Sequence, residues 1–88
     1  MTLKMETILD GRSITIRLIG RMRAEHLVEL QAQINSSGAK PALDLEEVSL
    51  VDLEVVRFLG VCQLKGVELL HCSPYIRDWI AKEQVETE

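Results

Sequence analysis

The sequence predicts an α/β fold of order β-β-α-β-α-β-α, a four-stranded mixed sheet with its helices mainly on one face. Three observations predict it. Short alternating stretches flank Asp10-Gly11, which is a hairpin signature. Helical patterns then separate the second, third and fourth strands, and such crossovers make strands parallel. Finally, Asp44 and Glu68 sit at the parity opposite Leu43, Leu45, Val67 and Leu69. A parallel sheet covered on both faces favours continuous apolar strands, so one face is expected to stay partly wet.

The first strand is centred on Thr7–Leu9 and extends back toward Leu3. Asp10-Gly11 suits a type I′ turn, because glycine tolerates positive φ. The second strand, Ser13–Ile19, puts Ile14, Ile16 and Leu18 on one face and Thr15 and Arg17 on the other, and Gly20 is expected to end it. Leu27, Leu30 and Ile34 recur at helical spacing over Ala24–Ile34, with Glu25, Glu29 and Gln33 on the wet side. Asn35-Ser36-Ser37-Gly38 is a stop, with Gly38 in the left-handed conformation. The third strand is Ala42–Leu45, after which Val48 and Leu50 or Val51 plug the connection. Asp52 heads a helix over Leu53–Leu64: a carboxylate there accepts from free helical N–H groups and suits the positive end of the macrodipole. Gly66 precedes a fourth strand, Val67–Leu70. Ser73-Pro74 starts a last helix that buries Tyr75, Ile76, Trp79 and Ile80 and ends near Ala81–Gln84.

The 88 residues allow one domain, 1–88, with 85–88 expected to fray. One Trp, one Tyr and one Phe leave an aliphatic core. A formal net charge of -4 disfavours a nucleic-acid binder, which needs a concentrated basic face. The sequence has no apolar run long enough to insert in a membrane and no signal-peptide core, so a cytoplasmic location is expected. Cys62 and Cys72 are then expected as free thiols.

Around the Leu53–Leu64 helix, Glu54, Arg57, Val61 and Lys65 form a flank. Val55, Phe58, Leu59 and Cys62 form one apolar arc; Leu53, Val56, Gly60 and Leu64 form another beside it. Together they are wider than a surface helix on a sheet normally needs. Either a neighbouring helix covers the second arc or a partner protein does. Asp52, Leu53, Val56, Arg57 and Gly60 are the interface candidates.

The run ALDLEEVSLVD, the helix after it and GVELLHCSP resemble the STAS domain, the fold shared by anti-sigma factor antagonists and the cytosolic tails of sulfate transporters. Asp44 and Leu45 match the end of that family's strand, and Asp52 matches the aspartate before the serine that the anti-sigma kinase phosphorylates. Leu53 stands in the serine's place, and EVVRFLG lacks the small residues usual around it. The resemblance therefore implies helices on one side of the sheet, a protein partner in bacterial regulation and no phosphorylation switch here. Family members typically continue into one more strand and helix, so the chain resembles a version shortened at its C-terminus.

Other constellations carry less chemistry. His26 lies on the flank of the first helix. His71 and Cys72 are adjacent and point to opposite faces of a strand, and an inert core thiol suits Cys62 better than pairing with His71. No enzyme, cofactor or catalytic residue is therefore expected. Asp44, Glu46, Glu47, Asp52 and Glu54 lack the ligand pattern of a calcium loop, and no metal is expected. Arg17, Arg21 and Arg23 are weak anion candidates, without a glycine-rich phosphate loop. The expected function is a non-catalytic protein–protein interaction module. The alternatives are a homo-oligomerising structural module, a homodimer through an exposed sheet edge, or a weak nucleotide- or anion-binding domain.

Overall fold

A computed structural model describes residues 3–36 and 40–86. The elements are β1 (Lys4–Asp10), β2 (Ser13–Met22), a 3₁₀ turn (Ala24–His26), α1 (Leu27–Ser36), β3 (Ala42–Val51), α2 (Leu53–Leu64), β4 (Leu69–Leu70) and α3 (Pro74–Glu86). The sheet runs β1-β2-β3-β4, with β1 and β2 antiparallel and the other two pairs parallel. Three helices lie mainly on one face. Between them and the sheet sits an aliphatic core of Ile16, Leu18, Met22, Leu43 and Leu45 from the strands with Leu30, Val55, Val56, Leu59, Ile76 and Ile80 from the helices.

The hairpin corrects the expected turn. Asp10 pairs with Ser13, so the loop is Gly11-Arg12, one residue later than the Asp10-Gly11 reading. Gly11 has φ +61 and Arg12 is not in the positive region, as in a type II′ turn, which needs glycine at its first central position.

Two strands are longer than their sequence pattern suggests. β2 runs through Gly20 to Met22, and β3 runs on to Val51 instead of stopping at Leu45. The pairing explains why. Arg17 faces Asp44 but Ile19 faces Glu47, and Gly20 faces Val48 but Arg21 faces Leu50. β3 therefore holds an extra residue at each of two bulges, and each bulge resets which parity faces the core. Leu43 and Leu45 lie in the core, and Val48 and Val51 pack against it. The segment expected to be a connection is strand.

β4 is shorter than expected because α2 takes part of it. Gly66, at φ +92, donates to Gln63 O at 3.0 Å, and Val67 donates to Cys62 O at 2.9 Å. This reciprocal closure is a Schellman motif, and the left-handed residue in it favours glycine. The Val67 N–H is thus committed to the helix and not to the sheet. Val67 itself is buried.

The last helix begins as expected: Ser73 Oγ accepts from Ile76 N–H at 3.3 Å, and Pro74 occupies the first turn. It continues to Glu86, past the predicted end and into the segment expected to fray. Tyr75 is the other correction. It is 67% exposed and stacks at a tilt on Trp79, with ring centroids 5.8 Å apart. Only Ile76 and Ile80 of the predicted buried set are fully inside. The predicted Gly38 cap lies outside the described residues. No helix among the described residues is long and apolar enough to cross a membrane.

Candidate functional site

Asp52 caps α2 as its sequence context predicts. Its Oδ1 accepts from Val55 N–H at 2.9 Å, and its backbone carbonyl accepts from Val56 N–H at 3.0 Å. The second carboxylate oxygen does something the sequence does not show: Oδ2 accepts from Ala24 N–H at 3.0 Å. One side chain therefore ties the start of α2 to the turn that leads into α1. The neighbouring turn is held as well, since His26 Nδ1 accepts from Arg23 N–H at 3.0 Å. Asp52 is a positioning residue here, with both oxygens engaged inside the chain.

The two arcs of α2 have different fates. Val55, Leu59 and Cys62 face the sheet and are buried, with Phe58 packed at the edge of the core. In the second arc, Val56 is fully buried and Gly60 is buried too. α3 covers them: Gln84 Nε2 donates to Gly60 O at 3.3 Å, and a Cβ on Gly60 would lie 3.6 Å from Ile80 Cγ2. Gly60 thus lets α3 approach α2 closely. Within one copy of the chain, Val56 and Gly60 are not surface, which corrects their place among the interface candidates. The physical reason is that α3 folds back onto the arc. Arg57 is exposed but already engaged, 3.1 Å from Glu83 on α3 and 3.9 Å from Glu54. The Glu54 pair is exposed on both sides and contributes little to stability, while the Glu83 carboxylate is half-buried.

Leu64 at the far end of the arc is open, as is the corner where β2 and β3 end. Arg21, Met22, Arg23, Leu50, Val51 and Asp52 line a hollow of about 340 Å³ there. Leu50 is 55% exposed and Leu53 is 38% exposed. Arg17 does not belong to this group. It lies about 13 Å back along β2 at the usual strand rise, where it is ion-paired with Glu47. The three arginines therefore do not converge on one anion. Arg21 and Arg23 line the hollow with Leu50 instead.

The acidic stretch is also dispersed. Glu47 pairs with Arg17, Asp52 caps α2, and Glu54 faces Arg57. Asp44 and Glu46 instead come together with His71, with ligand atoms within 4.8 Å of one another. Asp44 Oδ1 accepts from Glu46 N–H at 3.0 Å and lies 3.1 Å from His71 Nδ1, so hydrogen bonding accounts for the arrangement. Burial pushes the Asp44 carboxyl up. The Glu46 N–H, the bond and charge of His71 and the charge of Arg17 outweigh this and hold it below its ordinary 3.8. The folded state thus binds that proton less well than the unfolded chain. The stabilisation is present above the ordinary value and is lost as pH falls through the lowered one. Urea titrations are expected to show stability falling below about pH 4 more steeply for the natural chain than for Asp44→Asn; equal slopes would contradict the assignment.

Burial disfavours the thiolate form of both cysteines. Burial pushes Cys62 up to about 11, against a small opposing pull from Lys65, and burial also raises Cys72. Both are unpaired.

Sequence reasoning missed two features of this region. The Asp52–Ala24 bond and the Asp44–His71 contact join residues 28 and 27 positions apart, and only the pairing of the parallel strands brings them together. A usable signal for the second existed, since Asp44 lies opposite Leu70 in the sheet and His71 follows Leu70. Compared with known proteins, the chain matches no family model and has no significant match among curated proteins.

Proposed function

We propose that the chain is a non-catalytic protein-interaction module of the STAS kind, acting in bacterial regulation like an anti-sigma factor antagonist but without a phosphorylation switch. The observation that carries this reading is the corner held by Asp52, where exposed Leu50 shares a hollow with Arg21 and Arg23 and the exposed Leu53 follows directly after the cap. Leucines left in water at a rigid corner are suited to an apolar patch on a partner, and the arginines to an acidic rim around it. The strand order and a helix headed by Asp52 after the third strand support the family reading. Leu53 offers no hydroxyl, so docking here is set by affinity and abundance and not by a kinase acting at this position.

Leu50→Lys and Leu53→Lys test it. Both are expected to keep the circular dichroism of the natural chain, with stability changed by about 0.5 kcal/mol or less. Both are expected to lose the partner that the natural chain retains in pull-downs from its own cells, read by mass spectrometry. If the two variants, still folded, retain the same partner, the corner is not the docking surface.

A further inference from the structure

β1 is an edge strand, and no described strand pairs with its outer side. The hairpin tells which backbone groups point outward. Asp10 and Ser13 close a two-residue turn and are its hydrogen-bonded pair. Hydrogen-bonded and non-hydrogen-bonded pairs alternate along an antiparallel ladder. Lys4, Glu6, Ile8 and Asp10 therefore turn their N–H and C=O groups to β2. Met5, Thr7 and Leu9 turn theirs away from the sheet.

The strand reads Lys-Met-Glu-Thr-Ile-Leu-Asp. Laid antiparallel against itself about Thr7, it is self-complementary. Lys4 falls opposite Asp10, Met5 opposite Leu9, Glu6 opposite Ile8, and Thr7 opposite Thr7. Every outward residue meets another outward residue, so each exchanges both backbone groups with the second copy. The apolar pair lies on the helix side of the sheet, and a threonine pair and an opposite-charge pair are both favourable across strands. A slide of two residues in either direction leaves one end of the strand unpaired.

A second observation fits. Leu9 is on the helix side of the sheet, yet it is 73% exposed. It overhangs a hollow of about 470 Å³ lined by Thr7, Ile14, Ile16, Gln33 and Ser36. Met5 on the same side packs against the core and accepts from Gln33 Nε2 at 3.6 Å. In the self-paired register, Leu9 of one copy comes to rest beside Met5 of the other and leaves water.

We propose that two copies of the chain associate through this edge, β1 against β1 about Thr7, to make one continuous sheet. This goes beyond the docking reading above. The edge lies at the hairpin side of β2, and the Leu50–Leu53 corner lies at the strand's other end, so each fails or survives without the other. The occupant is a second copy because the charges and the backbone parity match the strand itself.

Sedimentation velocity on the full chain, from micromolar to millimolar, tests it. The natural chain is expected to pass from monomer to dimer as concentration rises. Lys4→Asp and Asp10→Lys each replace the opposite-charge pairs with like-charged ones, and each is expected to weaken the dimer about tenfold. Mixed together, the two variants restore both opposite-charge pairs, and a heterodimer is expected to recover most of that loss. Thr7→Pro deletes an outward N–H that β2 does not use, which an edge strand tolerates; it is expected to leave a folded monomer by circular dichroism. A natural chain that stays monomeric at millimolar concentration overturns the proposal. So does a folded Thr7→Pro chain that dimerises unchanged, or a mixture of charge variants that associates no better than either alone.

Discussion

Val56→Glu is expected to unfold the protein, while Leu53→Lys, three residues earlier on the same arc, leaves it folded. Val56 is fully buried where α3 lies on α2, and Leu53 is 38% exposed. Removing a buried valine forfeits roughly 1.5–3 kcal/mol of apolar burial. A carboxylate in its place adds several kcal/mol, either as desolvation or as the cost of staying protonated. A domain of this size has roughly 5–10 kcal/mol of total stability, so little is left. Circular dichroism with urea unfolding of both variants checks the contrast. Two equally stable variants would mean that α3 does not cover the arc.

Asp52→Ala is expected to cost about 2 kcal/mol, the upper end for loss of a helix cap. The upper end applies because both carboxylate oxygens are in use, one on Val55 N–H and one on Ala24 N–H. An ordinary cap holds only its own helix. This one also holds the entry to α1, so two elements loosen together. Asp52→Asn keeps one carbonyl oxygen and is expected to lose about half as much. Amide hydrogen exchange gives the matching local readout, faster at both Val55 and Ala24 in the alanine variant. A change of about 0.5 kcal/mol or less in the urea midpoint analysis would show that the bridge contributes no more than a surface residue.

The parts of this fold legible in the sequence are those decided locally. Asp52 and Gly66 bracket α2, and both boundaries are where the cap and the glycine put them. Helical spacing separated Val55, Leu59 and Cys62, which face the sheet, from Glu54, Arg57, Val61 and Lys65, which are exposed. The parity of Asp44 anticipated its place on the sheet face away from the core, where it sits half-buried opposite Arg17. β3 was not legible past Leu45 because two bulges break the alternation: its core-facing residues are Leu43, Leu45, Val48 and Val51, which has no single period. The second arc of α2 was ambiguous for a different reason. A helical wheel shows that Val56 and Gly60 share a face with Leu53 and Leu64. Only the return path of α3 decides that the first two are covered, while Leu53 is 38% exposed and Leu64 is 79% exposed. Tyr75 belongs to the same class, since its spacing with Ile76, Trp79 and Ile80 is helical but α3 turns it outward. The candidate site follows from these outcomes. The leucines at the corner became visible as a surface only after α3 had been placed on the rest of the arc.

Whether α3 or another molecule occupies the Val56–Gly60 arc governs the rest, and proton NMR on the isolated chain measures it directly. Nuclear Overhauser cross-peaks are expected between the α protons of Gly60 and the Ile80 γ2 methyl group, where a Cβ on Gly60 would come within 3.6 Å. Absence of those cross-peaks, with α3 amides exchanging as in a free helix, would contradict that packing of α3 and return the arc to a binding partner.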